Sequence, residues 1–247
     1  MLNLNSLKNA FALSKPKMVI HLAWAGIPNF NNSNLRKNIK ISNNLIYCMK
    51  KYNCKKILIS GSCAEYDGYQ GLVSEKLKIY NPTSILGKQK NKIKTIFFSK
   101  LKGRAVIIWM RIFYVFGKFQ IKKSLIMNLI KSVKKNIIIN FKNPYISHDY
   151  IFVDDVIKAI LILVKQKRNT IVNICNNKLV SNLNFVKNFK KAVKKNKSFR
   201  FKINLKNRAN KKSFFYGCNK KLKNLGWKAD FSLFAGIKKT IYHYEKQ

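Results

Sequence analysis

Two kinds of apolar pattern alternate along the first half of the chain. Near-continuous apolar runs occur at Met18-Val19-Ile20-His21-Leu22-Ala23-Trp24, at Ile57-Leu58-Ile59 and at Ala105-Val106-Ile107-Ile108-Trp109-Met110. Such runs predict strands buried on both faces, as in a parallel sheet. Between the first two, Leu35, Ile39, Leu45, Ile46 and Met49 fall at helical spacing and predict a helix over about 34–51. Ile85, Leu86, Ile93 and Phe97 predict another, reaching about Lys100, with Pro82 in its first turn. Strand, helix, strand implies a right-handed parallel crossover. Ahead of these, Leu7 to Leu13 read as the tail of a helix stopped near Ser14 and Pro16.

Later segments are shorter. The pattern predicts a helix over 123–135, a strand at Ile137–Phe141, and a strand or extended arm at 148–153. A helix over 155–165 follows, with Asp154 as its cap. Then come a strand at Thr170–Ile174, a helix over 181–195 and a C-terminal helical region, 222–244, interrupted at Gly226. Residues 66–81 read as a long polar loop.

Composition narrows the class. The chain of 247 residues is 47% hydrophobic and 13% aromatic, enough for a globular core. No apolar run is long enough to span a bilayer, and the N-terminus lacks the order of a secretory signal. Cys48, Cys54, Cys63, Cys175 and Cys218 are scattered and show no metal-ligand spacing. They read as reduced thiols of a cytoplasmic protein.

The formal charge of +43 invites a nucleic-acid reading. The charge is nearly all Lys, spread through the chain alongside abundant Asn, Ile and Phe. That distribution fits a codon-biased, solvated surface better than a dedicated nucleic-acid face. Weak, salt-sensitive polyanion binding is still expected. Carboxylates are few: Glu65, Asp67, Glu75, Asp149, Asp154, Asp155, Asp230 and Glu245. Five of these eight fall in 65–67 and 149–155, where caps, hydrogen bonds or ligands would need them. The strand Ile57–Ile59 breaks into Ser60-Gly61-Ser62. A hydroxyl at the carboxyl end of a parallel strand lies where open α/β sheets bind ligands.

Seven fragments in order carry a resemblance. They are VIHLAW (19–24), KNIKISNNLIYCMKK (37–51), ISGSCAEYDG (59–68), PTSILGKQK (82–90), RIFYVFG (111–117), HDYIFVDDV (148–156) and LGW (225–227). Together they resemble the extended short-chain dehydrogenase/reductases, in their NAD-dependent sugar-nucleotide epimerase/dehydratase branch. The resemblance implies an α/β fold with a Rossmann-like parallel sheet. Residues 1–117 correspond to part of a dinucleotide-binding domain. Residues 118–247 correspond mainly to a smaller substrate-binding lobe, with 148–174 returning to the core sheet.

In that family a tyrosine phenolate exchanges a proton with a sugar oxygen, a Ser or Thr hydroxyl holds that oxygen, and a lysine one helical turn on lowers the tyrosine pKa and binds the nicotinamide ribose. By resemblance Ser62 takes the hydroxyl position and Lys90 the lysine position. Leu22, Ala23, Trp24, Asn38, Ser60 and Phe113 are implied at the cofactor, NAD or NADP. Tyr114, His148, Asp149 and Arg208 are implied at the nucleotide-sugar substrate, with His148 standing where arginine is usual.

Two departures bear on activity. The tyrosine position of P-x-S-x-Y-G-x-x-K is Leu86, which can neither donate nor accept a proton. Loss of a positioned general acid/base removes about 10²–10⁴-fold in rate. Neither Tyr66 nor Tyr80 has the required spacing to Lys90. The second departure is that no Gly-rich phosphate turn occurs anywhere in the chain. The strand at 18–24 is then expected at a sheet edge. Three explanations stand side by side: a misassigned start, a split or frameshifted gene, or a decayed remnant. Three functions follow. One is a family enzyme, inactive as an isolated chain and completed by a separately encoded N-terminal half. Another is a non-catalytic partner in a homo- or hetero-oligomer. The third is a polyanion-binding basic protein.

Overall fold

The computed structural model describes residues 1–27, 30–78, 81–141, 143–193, 199–203 and 214–246. Its elements run α1 (Leu4–Ser14), β1 (Met18–His21), α2 (Asn32–Lys51), β2 (Lys56–Ser62), a 3-10 turn (Cys63–Tyr66), β3 (Gly71–Val73), α3 (Ile85–Lys100), β4 (Val106–Ile112) and β5 (Tyr114–Phe116). Then come α4 (Leu125–Lys135), β6 (Ile139–Phe141), β7 (Ser147–His148), β8 (Tyr150–Phe152), α5 (Val153–Leu163), β9 (Thr170–Ile174) and β10 (Val180–Ser181). The chain closes with α6 (Asn182–Ala192), β11 (Phe201–Ile203), β12 (Phe215–Gly217), α7 (Lys220–Asn224) and α8 (Leu233–Glu245).

The chain forms two compact units. The first comprises Met1–Gly68, Glu75–Ile112 and Leu161–Asn173; the second comprises Tyr69–Ser74, Phe113–Ile160 and Ile174–Gln247. In the first, a sheet of order β1-β2-β4-β9 has parallel pairing of β1 with β2 and of β2 with β4. Ile57, Leu58 and Ile59 of β2 are covered on both faces, as the continuous apolar run demands. The core joins Leu7 and Phe11 of α1, Leu45 and Met49 of α2, Ile93 and Phe97 of α3, and Trp109 of β4. Burying a side chain such as Phe97 contributes roughly 1.5–3 kcal/mol. In the second unit, β5 pairs in parallel with β8, and Phe116, Phe152, Phe185 and Phe189 build an aromatic core with Leu129 of α4 and Ile237 of α8.

The scarcity of acids shows in the helix ends. Six helices start on a neutral side-chain cap: Asn3, Asn31, Ser84, Ser124, Ser181 and Ser232 each accept a backbone N–H of the first turn. None of these helices has an acidic residue in its first turn. Hydrogen bonding by the cap therefore does there what charge does elsewhere.

The structure corrects several expected boundaries. Strand β1 ends at His21, and Leu22 to Trp24 leave the sheet. Helix α3 starts at Ile85 behind Ser84, so Pro82 precedes the helix instead of opening it. Helix α5 starts at Val153, so Asp154 sits inside its first turn; its carboxylate pairs with Lys239 at 2.8 Å. The polar loop 66–81 contains β3, paired with β12. The C-terminal helical region is two helices, α7 and α8. All five cysteines are free thiols. Among the described residues, no helix is long and apolar enough to cross a membrane.

Candidate functional site

In the first unit, Ser62 ends β2 and caps the 3-10 turn. Its Oγ accepts the Ala64 N–H at 3.1 Å, and Glu65 Oε1 accepts the Ser62 N–H at 3.1 Å. This reciprocal box follows from the Ser-x-x-Glu spacing. Glu65 is wholly buried. Trp109 Nε1 donates to it at 2.8 Å, Arg111 Nε at 3.0 Å and Lys94 Nζ at 3.4 Å. Arg111 Nη1 also donates to the Tyr66 hydroxyl at 2.7 Å, which donates to Asn173 Oδ1 at 2.9 Å. Burial pushes the Tyr66 phenol up to about 12, with Arg111 opposing. Tyr66 is thus a structural phenol on Arg111. Gly61 leaves the room the Trp109 indole needs, since a Cβ there would overlap it.

Helix α3 comes against this turn at Gly87, where a Cβ would collide with the Ala64 carbonyl oxygen. The close approach sets the depth of the helix, and the i, i+4 spacing puts Leu86 and Lys90 on one side of it. Lys90, 5% exposed, donates from Nζ to the Ser60 carbonyl at 2.6 Å and lies 3.6 Å from the centre of the Trp24 ring. Burial lowers the Lys90 ammonium to about 7, with Glu65 opposing. The indole face also favours the charged form. The Trp24 Nε1–H is buried without an acceptor. His21 is lowered to about 4, first by burial and then by the Lys90 charge. Asn38 clamps the turn after Trp24, accepting the Ala25 N–H at 2.9 Å and donating to its carbonyl at 3.0 Å. Ser60 Oγ donates to the Leu22 carbonyl at 3.4 Å. Leu22 and Ala23 are exposed beyond β1. Seven residues singled out in the sequence therefore gather in this unit: Leu22, Ala23, Trp24, Asn38, Ser60, Ser62 and Lys90.

Leu86 lines a cleft of about 630 Å³ with Phe30, Asn31, Ala64, Asp67, Ser84 and Ile85. Burial raises the Asp67 carboxyl, against a hydrogen bond with the Ser84 side chain. No motif in the sequence marks Asp67, Glu65 or Gly87 as site residues. The Ser-x-x-Glu spacing was the available signal for Glu65. Asp67 had none beyond the clustering of acids.

The remaining candidates lie in the second unit. Phe113 is buried edge-on to Phe215, with ring centres 6.2 Å apart. Tyr114 stacks on His148 at 3.8 Å. Burial lowers His148 to about 4, so at neutral pH it offers no fixed positive charge. The Asp149 carboxylate is wholly buried. It accepts the Asn176 N–H at 2.8 Å, the Asn177 N–H at 3.0 Å and the Gly217 N–H at 3.0 Å. It anchors a loop to β12, and burial lifts it to about 6 against those bonds. Asp155 likewise accepts the Asp230 N–H at 2.8 Å. Arg208 and Tyr80 lie outside the described residues.

Known proteins are similar to this chain. The chain is 24% identical over 246 residues to a UDP-glucuronate 4-epimerase of Thermodesulfobacterium geofontis, covering 97% of this chain and 76% of that protein. The structure of UDP-glucose 4-epimerase from Thermotoga maritima with UDP-glucose superposes with a TM-score of 0.86 at 21% identity, covering 99% of this chain and 82% of the other. A dTDP-glucose 4,6-dehydratase from Bacillus anthracis in complex with NAD gives 0.84 at 18% identity, covering 100% and 78%. The family pattern of NAD dependent epimerases and dehydratases matches residues 1–175, well over half the chain. On that match, the chain belongs to the NAD-dependent epimerase/dehydratase family.

Proposed function

We propose that this chain holds a nucleotide sugar in an epimerase/dehydratase frame from which the phenolic acid/base has been removed. The observation that carries the reading is the packing of α3 on the end of β2. Gly87 seats the helix, Lys90 reaches Ser60, and the side chain one turn before Lys90 is Leu86. Ser62 supplies a hydroxyl for a sugar oxygen and Lys90 an ammonium for a ribose diol. Leu86 supplies shape only, so the chain alone turns over poorly or not at all.

The residues fit one end of a dinucleotide. A ribose diol is rich in acceptors, and the first unit offers it the Lys90 ammonium and the orphaned Trp24 Nε1–H. NAD, when bound, supplies hydride exchange. For the pyrophosphate the chain has no Gly-rich turn. Strand β1 is a margin of the sheet, and Ile20 on it is 42% exposed. That edge is where a strand–turn–helix unit from outside these 247 residues would pair, in the same or a separate polypeptide. The same edge and Leu86 also support the second reading, a non-catalytic subunit paired with an active relative.

Calorimetric titration of the folded chain with UDP-glucuronate and UDP-glucose tests the proposal. Saturable binding of at least one is expected. Leu86→Tyr, assayed with NAD and a Gly-rich half supplied in trans, should raise turnover by about 10²-fold or more. No heat from either nucleotide sugar ends the substrate reading. Turnover that is already high with Leu86, and unmoved by tyrosine, ends the assignment of residue 86.

A further inference from the structure

The cleft beside Leu86 has two kinds of wall. Phe30, Ala64, Ile85 and Leu86 are apolar; Asn31, Asp67 and Ser84 are polar. A pyranose ring has the matching surface: apolar C–H faces and a rim of hydroxyls. Two of the polar groups already have work. The Asn31 side-chain oxygen caps α2 through Asn34 N–H, and its carbonyl receives Gln89 Nε2 at 2.9 Å. Ser84 Oγ accepts the Gly87 N–H at 3.1 Å.

Asp67 differs. It is the only ionisable side chain among the described residues lining the cleft. Its backbone is fixed at both ends: the N–H donates to the Ala64 carbonyl at 3.1 Å, and its own carbonyl accepts the Thr83 N–H at 3.2 Å. A carboxylate has about four lone-pair sites. The Ser84 side chain answers one of them, so a half-buried, rigidly mounted acceptor still has capacity for a donor.

Resting on the nucleotide-sugar reading above, we propose that the Asp67 carboxylate accepts a hydrogen bond from a ring hydroxyl of the bound sugar, in the cleft where Leu86 has no polar atom to offer. The raised carboxyl fits this role. Partial burial without enough donors disfavours its charge, and an incoming hydroxyl supplies the missing donor. The contact orients the sugar ring and discriminates sugars by the position of the hydroxyl that reaches it.

The test is a two-by-two titration of the full chain by calorimetry. Wild type and Asp67→Asn are each titrated with UDP-glucose and with UDP, which lacks the sugar. Asp67→Asn should weaken UDP-glucose about tenfold, the scale of a hydrogen bond to a charged acceptor, and leave UDP unchanged. Equal affinity of both proteins for UDP-glucose, or equal weakening of both ligands, overturns the Asp67 contact and leaves the nucleotide-sugar reading standing. Failure of wild type to bind either ligand overturns the two together.

Discussion

Glu65 in the first unit and Asp149 in the second are both wholly buried, and the two solve the burial of charge differently. Glu65 in the first unit is held by the Ser62 N–H and by three side chains, two of them cationic: Arg111 and Lys94, with Trp109 beside them. Asp149 in the second is held by backbone N–H groups of Asn176, Asn177 and Gly217. The first arrangement fixes the turn that presents Ser62, through a charge pair whose partners are far apart in sequence. The second ties a loop to a short strand and leaves the charge balanced only by dipoles. Removing the acid therefore strands a cation in one unit and only uncapped amides in the other.

The largest effect should follow Glu65→Ala. It leaves Arg111 buried and uncompensated and should cost about 3–5 kcal/mol in urea unfolding. A cost near that of an ordinary surface change would show that Arg111 finds solvent, and the comparison would lose its basis.

Acid should separate the units next. Below 6.5 the unfolded chain takes up a proton that folded His21 refuses until about pH 4, so stability falls as pH drops through that window, by about 3 kcal/mol. Asp67 opposes this with a smaller shift. In the second unit His148 behaves as His21 does, but Asp149 works against it. Folded Asp149 takes its proton near pH 6, before the unfolded carboxyl does, so acidification adds stability there. Trp24 and Trp109 belong to the first unit and Trp227 to the second, so a Trp227→Phe background lets emission report the first unit. In that background the unfolding midpoint should fall between pH 6.5 and 4, and His21→Gln should flatten the fall. An unchanged slope would remove His21 as the cause.

The smallest of the three effects belongs to Asp149→Asn. One side-chain carbonyl remains to serve three N–H groups, and a cost of about 2 kcal/mol is expected. A loss as large as that from Glu65→Ala would mean the backbone cage is worth as much as the ion pair.

The chain order of motifs was legible in the sequence because each rests on local chemistry. The run Ile57–Ile59 is a buried strand whatever surrounds it. Thr170–Ile174 reads as a strand in the sequence and is β9 in the structure. The i, i+4 relation of Leu86 to Lys90 belongs to any helix. Boundaries were less legible where a partner sets them. Strand β1 ends early because Asn38 draws Ala25 into a turn, and β3 exists only because β12 lies alongside it.

By itself, then, the sequence determined the parallel strand–helix alternation, the hydroxyl at 62, the ammonium at 90 and the apolar side chain at 86. Spacing and side-chain type are local and need no partner. Tertiary structure alone decided which scarce acids serve the fold and which face open space. Glu65 and Asp149 were drawn inside by donors tens of residues away, while Asp67 was left on the wall of a cleft. An acid's role depends on which donors converge on it, and that convergence exists only once the chain has folded.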